Sequence, residues 1–514
     1  MEAVITESMR LTIFLCLVGV ALGAAGDVRQ PAVAGSFYTD DPDVLRAQVE
    51  SMLDEARSDA SGTNARALVV PHAGYAYSGP TAAAAFARLP TEGIRRVVLL
   101  GPTHHYSFSG GALPKTGLTA FETPLGSMAL DQEALKILRG MPHFDGPANA
   151  HKPEHSLEVE LPFLQVVAPE AKLVPIVVGT NTDLQTCREM AASIAALLDE
   201  GTVVVVSSDF THHGDRYGWT PYDGPDLSET LLSVARDTAD RLIDRDPRGF
   251  LRQIEISGDT VCGVRPVGVL AALLEGAFDG AGSILEITTS GHVTGSFDLS
   301  VTYLAAEFHG EWRGWKTPAT VEFGELSSTD GHALLELARE VLTTHLTHDT
   351  GVAEWFAEHG NSKGLLMPAG AFVTINNTGR RARSDGRLRA CMGLMGAEQP
   401  LVDAVVQAAL MAARDPRFPP LRLDELEDVE IEVSVLSPMS AVRSPRFIRV
   451  GEHGVVLAKD GRRAVFLPQV ATEQDWTRDE MLDHLSLKAG LPRLAWQHGA
   501  TFEVFTAQVF SETQ

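Results

Sequence analysis

Four nearly continuous apolar runs constrain the fold of the first part of the chain more than any other sequence feature. They are rich in Val, Leu and Ile and occupy residues 67–70, 96–100, 173–178 and 202–206. Strands that are buried on both faces have this pattern, whereas half-exposed strands alternate apolar and polar residues. Ala- and Leu-rich stretches around them predict helices at residues 44–55, 80–87, 184–199, 227–245 and 267–276. The sequence therefore predicts an α/β fold, with a mostly buried sheet flanked by helices.

A different pattern begins near residue 325 and predicts a second domain. A helix at residues 332–345 precedes strands at 371–375 and 429–436, with another helix at 401–414 between the two strands. This order is typical of a compact α+β domain. A chain of 514 residues is longer than a single hydrophobic core usually supports and is long enough for two domains. We expect a first domain over residues 28–308, a linker over 309–324 and a second domain over 325–510.

The N-terminus carries a targeting pattern. Residues 11–22 are mostly apolar, Arg10 precedes them, and residues 23–25 follow as a small-residue cleavage site. The run is too short to span a bilayer comfortably, so it favours a signal peptide over residues 1–25, export to the periplasm and a mature chain without a transmembrane span. The acidic residues Glu2 and Glu7 weaken the pattern and leave a cytoplasmic chain as the alternative.

The charge and the cysteines argue against a nucleic-acid-binding protein and against a disulfide-rich one. A net charge of −25 makes nucleic acid and anionic membranes poor partners for the chain as a whole. The arginine-rich patch at residues 380–389 is a local exception that is able to bind phosphate, nucleic acid or an acidic partner, although a solvated hairpin explains it slightly better. The cysteines are widely spaced, which is not the pattern of a disulfide framework.

Polar clusters follow three of the predicted strands at the point where each strand ends. The clusters are PHAGY at 71–75, GPTHH at 101–105 and SSDFTHH at 207–213. Because ligands of open α/β sheets bind outside the carboxyl ends of the strands, five histidines and Asp209 are expected to converge on one crevice. Imidazole is the commonest metal ligand in proteins and also serves as a general base. A single histidine here is more simply structural, and only the group indicates function.

Cys262 and the segment 154–160 add further candidates. Cys262 precedes a predicted helix, and a thiol near a helix N-terminus has a lowered pKa, which makes it a nucleophile or a soft metal ligand. A buried, inert cysteine is the alternative. Glu154 and Glu158 lie four residues apart on an expected helix. They serve either as a helix cap and exposed face, or as a base or a carboxylate that supports the site.

Five motifs occur in order along the first domain: PHAGY, GPTHH, EHSLEVELPFL, SSDFTHHG and DTVCGVRPVG. Together they resemble the Memo family, also called AmmeMemoRadiSam system protein B, which is similar in fold to the LigB-type extradiol dioxygenases. The resemblance implies one iron or copper ion per chain, held by His72, His105 and Cys262. It also implies a set of further candidate catalytic groups in or beside the same pocket: Asp209, His212, His104 and His155.

Two departures from the relatives of this family bear on the chemistry. Ring-cleaving dioxygenases hold iron(II) with two histidines and a carboxylate, so a cysteine in the third place argues against ordinary catechol cleavage. Arg265 stands before Pro266, where the family leads us to expect a histidine. This replacement removes one pocket group and adds a cation.

The second domain resembles the AMMECR-type family, AmmeMemoRadiSam system protein A, over about residues 325 to 510. The motifs are LRACMG at 388–393, DPRFPPL at 415–421, GEHGV at 451–455 and FLPQV at 466–470. The usual Arg-Gly-Cys-Ile-Gly pattern of the family is altered at Ala390 and Met392. The resemblance implies a radical-SAM protein as a partner and marks a candidate second site: Arg389, Cys391 and Gly393.

Three functions stay open. The first is a metal-dependent redox enzyme, related to the dioxygenases, that acts on an unidentified small-molecule substrate. The second is a metal-binding protein or redox scaffold without turnover. The third is a metal-free hydrolase with Cys262 as nucleophile and His105 or His212 as base.

Overall fold

The computed structural model describes residues 27–58, 64–317, 323–347, 351–360, 362–397, 399–442 and 444–512. The signal peptide expected at residues 1–25 lies outside the described residues. Among the residues described, every helix falls short of the length or the apolar character that crossing a bilayer requires.

The first domain alternates strands and helices, as the sequence predicts. Its strands are β1 (Asp27–Arg29), β2 (Ala65–Val70), β3 (Arg96–Pro102), β4 (Gly111–Ala112), β5 (Leu118–Thr123), β6 (Gly126–Ala129), β7 (Lys172–Val178), β8 (Thr202–Ser207), β9 (His212–His213), β10 (Phe278–Thr289) and β11 (Ser300–Trp312). Its helices are α1 (Pro42–Ser58), α2 (Tyr75–Phe86), α3 (Gln132–Arg139), α4 (Leu161–Val167), α5 (Leu184–Ala195), α6 (Leu227–Ile243), α7 (Pro247–Ser257), α8 (Val264–Ala277) and α9 (Ser290–Thr294).

The central sheet of this domain is mixed and has the strand order β10-β11-β2-β8-β3-β7-β4, with β9 pairing to β11. The four predicted apolar runs are β2, β3, β7 and β8, which are parallel to one another. Their apolar side chains are buried in one core cluster. Helix α2 contacts β2 and β11, and helix α8 contacts β3 and β8. The predicted α/β fold is confirmed.

Three local expectations differ from the structure. The long strands β10 and β11 form an antiparallel pair that the sequence pattern did not predict, and β11 continues to Trp312, inside the segment expected to be a linker. Helix α7 was also not predicted. Glu154 does not lie on a helix, since its stretch of chain is irregular and only residues 158–160 form a short 3-10 turn.

The second domain is an α+β unit, as predicted. Its strands are β12 (Gly370–Asn377), β13 (Leu388–Leu394), β14 (Val429–Leu436), β15 (Ser440–Val442), β16 (Gly454–Lys459), β17 (Arg462–Phe466), β18 (Thr501–Phe505) and β19 (Ala507–Ser511). Its helices are α10 (Ser328–Thr347), α11 (Gly351–His359), α12 (Lys363–Leu366), α13 (Gly379–Ser384), α14 (Leu401–Ala413), α15 (Pro468–Glu473) and α16 (Arg478–Lys488). The strands form two antiparallel sheets, β13-β12-β14-β19 and β15-β18-β16-β17.

Helix α7 joins the two domains through apolar and ionic contacts. The Ile256 side chain belongs to the hydrophobic core of the second domain. The Arg252 guanidinium lies 3.5 Å from the centre of the Phe356 ring, and its Nε atom donates to Asp403 Oδ1 at 3.1 Å. Arg248 Nε lies 3.0 Å from the other oxygen of the same carboxylate. The two domains therefore share a packed interface.

Candidate metal centre

The parallel strands bring three polar side chains to one edge of the sheet. His72, His104 and Asp209 each follow the end of a strand by two residues, after β2, β3 and β8 respectively. Because these strands are parallel and adjacent, their carboxyl ends meet at the same edge. The geometry thus brings His72, His104 and Asp209 of the expected group to one edge of the sheet.

Three imidazoles form a compact cluster at this edge. One ring nitrogen from each of His72, His104 and His155 lies within 4.8 Å of the others. The His104 and His155 ring centres are 4.4 Å apart, and the His72 ring is 5.2 Å from His104 and 5.4 Å from His155. His155 reaches the cluster from the irregular segment before α4. Three close imidazoles of this kind are a typical donor set for a transition metal.

The buried Glu154 carboxylate sets the orientation of His104. Its Oε1 atom lies 2.8 Å from His104 Nδ1, and its Oε2 atom accepts the His104 backbone N–H at 2.8 Å. The backbone N–H groups of His155 and Ser156 donate to Oε1 as well. Burial alone would raise the pKa of Glu154, but these hydrogen bonds, led by that of His104, hold it at about 2. The ionised carboxylate accepts a hydrogen bond from the Nδ1–H group of His104, which leaves the unprotonated Nε2 free to bind a metal.

A buried hydrogen-bond chain sets the orientation of His72. Ser207 Oγ donates to Glu160 Oε1 at 2.9 Å, so the 2.8 Å contact between His72 Nδ1 and Ser207 Oγ uses the Nδ1 proton of His72. Nε2 of His72 is therefore unprotonated and faces the cluster. Burial raises the pKa of Glu160 well above its ordinary value, and the charge of Asp209 adds to the effect. Burial therefore favours the protonated, uncharged form of Glu160.

Cys262 lies against this cluster. It immediately precedes Gly263, the N-cap residue of helix α8. Its Sγ atom is 3.1 Å from His72 Nε2 and 3.2 Å from the Asp209 backbone nitrogen, which donates to it. The lowered pKa expected from the helix N-terminus is wrong, because burial and the Asp209 charge raise the pKa of the thiol well above its ordinary value. A neighbouring cation is needed to stabilise the thiolate, and a bound metal ion is such a cation.

Asp209 and His212 flank the cluster in different ways. Asp209 Oδ1 accepts the His72 backbone N–H at 2.8 Å, and burial raises the pKa of its carboxyl to about 7. His212 Nδ1 lies 2.8 Å from the Phe210 carbonyl, so that this nitrogen carries the proton and Nε2 is free to accept one. Burial lowers the pKa of His212, which keeps the ring neutral.

His105 and His213 are placed differently from the clustered histidines. His105 lies outside the three-imidazole group, although its neighbour His104 belongs to it, and both residues are exposed to solvent. Both ring nitrogens of His213 are near backbone carbonyls, those of Phe297 and Tyr222, which indicates a structural role. The resemblance implies His72, His105 and Cys262 as metal ligands, and this set stays a prediction. In the described structure, His104 of the same motif is the histidine that lies in the cluster.

The candidate second site shows mainly structural contacts. Arg389 is buried and its Nη2 lies 2.9 Å from Glu425 Oε2. Cys391 accepts a hydrogen bond from Thr374 Oγ1 at 3.3 Å. A Cβ atom on Gly393 would lie 2.3 Å from the Ala371 carbonyl oxygen, so the close strand pairing requires glycine there.

The arginine-rich patch beside the candidate second site is not the hairpin that the sequence favoured. It forms helix α13 followed by β13. Arg381 is paired with Asp428 at 2.9 Å and with Glu425 at 3.3 Å. These ion pairs neutralise part of the patch, which weakens its case as a phosphate site.

Comparison with known proteins identifies the families of the two domains. Residues 29–307, more than half of the chain, match the family described as Memo-like protein, and the chain therefore belongs to that family. Residues 335–510 match the AMMECR1 family, so this member is a fusion of a Memo-like domain with an AMMECR1 domain. Both matched ranges lie inside the two domains expected from the sequence.

Several relatives and one solved structure match part of this chain along most of their own length. A MEMO1 family protein of Methanopyrus kandleri is 36% identical over 293 residues, which are 54% of this chain and 98% of that protein. The memo-1 homolog of Caenorhabditis elegans is 31% identical over 294 residues, or 55% of this chain and 82% of that protein. A solved structure of an uncharacterized protein from Pyrococcus horikoshii is 33% identical, covers 35% of this chain and 91% of its own, and has a TM-score of 0.32.

Proposed function

We propose that the Memo-like domain is a metal-dependent redox enzyme that holds one iron or copper ion at the three-imidazole cluster and Cys262. The observation that carries the proposal is the set of imidazole nitrogens within 4.8 Å of one another, with a thiol 3.1 Å from His72 Nε2. Imidazole and thiolate donors suit iron and copper. The residues present therefore fit such an ion.

The surroundings of the cluster support the proposal. Metal-binding histidines usually donate their second ring N–H to a carboxylate, a carbonyl or another fixed acceptor. His104 has Glu154 as this acceptor, and His72 has Ser207 backed by Glu160. A histidine that served only to fill the core would not require two buried carboxyl groups behind the cluster.

Iron or copper bound there would supply one-electron redox chemistry and a position for oxygen or substrate. The protein groups around it hold the ligands and handle protons. Asp209 fixes the backbone of His72 and lies against Cys262. His212 presents an unprotonated Nε2 and is the group that we expect to accept a proton from the substrate.

The experiment that tests the proposal compares two adjacent histidines. Wild type, His104→Ala and His105→Ala are purified anaerobically, and their metal content is measured by elemental analysis. We expect about one iron or copper per chain in wild type and in His105→Ala, and a loss of metal in His104→Ala. Loss only in His105→Ala would transfer the ligand position to His105. No metal in wild type, even after reconstitution, would overturn the proposal.

Oxygen consumption separates the enzyme from a metal-binding scaffold. The metal-loaded chain is incubated with a reductant and oxygen, and uptake is followed with an electrode. Uptake that is lost in His104→Ala and retained in His105→Ala supports a redox enzyme. Bound metal without any uptake or substrate-dependent turnover would support the scaffold instead.

A metal-free cysteine hydrolase is the second candidate function. The contact between Cys262 Sγ and His72 Nε2 favours it, because a nucleophilic thiol beside an imidazole base has this arrangement. The raised pKa of the thiol opposes it. Activity that persists in full after removal of all metal with a chelator would support the hydrolase.

A further inference from the structure

A cleft of about 590 Å³ lies between the two domains. The first domain lines it with the ends of β3 and β7 and with residues of α7 and α8. The second domain lines it with Gln399 and with Asp403, Val406 and Gln407 of α14. A cleft of this size at a domain interface is a typical place for a small-molecule ligand.

Cys262 connects this cleft to the imidazole cluster. Cys262 lines the cleft, and the same residue contacts His72 of the imidazole cluster. Pro102, which lies two residues before His104, lines it as well. A ligand in the cleft would therefore lie next to the chain segments that hold the cluster.

Arg265 is the cation of the cleft that lacks a carboxylate partner. Its Nε atom donates to the Thr180 carbonyl at 3.2 Å, which fixes the guanidinium. Within the part of the chain that the structure describes, its two terminal amino groups have no further hydrogen bond or ion pair. A guanidinium held at one side and open at the other is suited to a carboxylate or a phosphate group.

The other charged groups of the cleft are less available. Asp403 is shared between Arg248 and Arg252, and its negative charge is thereby compensated. Asp183 accepts the Thr186 backbone N–H as the N-cap of α5. Glu255 is the remaining acid; burial and the charge of Asp403 raise the pKa of its carboxyl and so weaken its negative charge, while Arg265 acts in the opposite direction. Arg265 is therefore the group that selects the charge of a bound ligand.

We infer that the interdomain cleft is the substrate site of the Memo-like domain, that Arg265 binds a carboxylate or phosphate group of the substrate, and that the AMMECR1 domain forms one wall of the site. The role as a substrate site rests on the metal centre proposed above. The binding of an acidic ligand does not, because Arg265 is not a metal ligand. The AMMECR1 domain thus contributes to recognition rather than to the metal chemistry.

The test measures binding of small anions to the full-length chain by calorimetry. The probes are malonate, its neutral analogue malonamide and inorganic phosphate. The variants are Arg265→Gln, Arg265→Lys, Gln407→Trp, which fills the cleft from the second domain, and Gln474→Trp as an exposed control in that domain. Thermal unfolding checks that each variant is folded.

We expect malonate or phosphate to bind wild type and malonamide not to bind. Arg265→Gln should weaken binding at least about tenfold, and Arg265→Lys should retain part of it, because the charge stays and the bidentate geometry is lost. Gln407→Trp should block binding, and Gln474→Trp should leave it unchanged. The better of the two anions then identifies the acidic group of the substrate.

Two results would overturn the inference. Equal anion binding in wild type and Arg265→Gln, or no anion binding in wild type, removes Arg265 as the recognition group. Unchanged binding in Gln407→Trp removes the second domain from the site. Metal content is measured on the same preparations, so a failure of the metal centre shows as lost metal with anion binding intact.

Discussion

Nε2 of His72 lies 3.1 Å from Sγ of Cys262, a residue that follows it by 190 positions in the sequence. The contact joins the loop after β2 to the segment that begins α8. The cluster at the sheet edge is therefore completed only when nearly the whole first domain has folded. A metal ion at this position would stabilise the folded domain by linkage, because the unfolded chain does not hold these donors together.

Removal of the thiol tests its part in metal binding. We expect Cys262→Ala to abolish metal binding, since it deletes the soft donor beside His72. Cys391→Ala is the matched control, because Cys391 lies on β13 of the second domain. Elemental analysis gives the result. Equal metal content in wild type and Cys262→Ala would remove this cysteine from the ligand set.

The Glu154 carboxylate is expected to tune metal affinity without touching the metal. Glu154→Gln replaces an anion that accepts from His104 Nδ1 by a neutral amide, which should lower affinity by about 10- to 100-fold. Competition with a chelator of known affinity measures the change. The exposed Glu170→Gln should leave affinity as in wild type, and an unaltered value in Glu154→Gln would show that the carboxylate only shapes the loop.

Glu160 is expected to make stability depend on pH in a defined direction. Its pKa in the folded chain lies well above the ordinary value of 4.5. Below that pH the carboxyl is protonated in both states, and above it the unfolded chain releases the proton first, which favours unfolding. Wild type should therefore lose stability relative to Glu160→Gln as the pH rises from about 4.5 towards the folded pKa.

Denaturant unfolding across this pH range measures the difference between wild type and Glu160→Gln. The exposed Glu133→Gln should give a difference that is independent of pH. A Glu160→Gln difference that is equally flat would show that the Glu160 carboxyl is ionised in the folded chain.

The ionic contact between the domains should contribute measurably to stability. Asp403→Ala leaves Arg248 and Arg252 without their carboxylate, and their side chains are only 20% and 9% exposed. Removing one partner of a fully buried pair costs about 3–5 kcal/mol, so we expect about 2 kcal/mol for this partly exposed one. The exposed pair of Arg449 and Glu452 supplies a control, and Glu452→Ala should change stability by less than about 0.5 kcal/mol.

Periodicity predicted the parts of the fold that are buried on both faces. The four parallel strands lie at or near their expected bounds. A short unbroken apolar run is typical of a strand that is buried on both faces of a sheet. The long pair β10 and β11 escaped prediction. Many of its residues on β10 are only half buried, so the strand lacks a strong pattern.

The site was predictable as a group and not in its details. Convergence of His72 and Asp209 follows from parallel strands, which sequence patterns reveal. Which of His104 and His105 joins the imidazole cluster depends on Glu154, an acid 50 residues further on, and this pairing leaves no local signal. Ser207 and Glu160 were missed for the same reason, although both belong to motifs that the sequence displays.

Glu154 shows why a helix was expected where none forms. Its side chain accepts backbone N–H groups of His104, His155 and Ser156, and these hydrogen bonds hold the chain in an irregular turn. The spacing of acidic residues does not predict such contacts, because the contact with His104 depends on the end of β3, which is distant from Glu154 in the sequence.

Ile256 has a consequence for how this fusion can be taken apart. Its side chain is supplied by the Memo-like domain and is 2% exposed within the core of the AMMECR1 domain. A protease cut in the connecting segment would therefore not release two independent proteins, because each half would expose an apolar surface that only the other half covers. The two halves would be expected to melt in one cooperative transition and to reassociate after cleavage, in the manner of a complemented split protein.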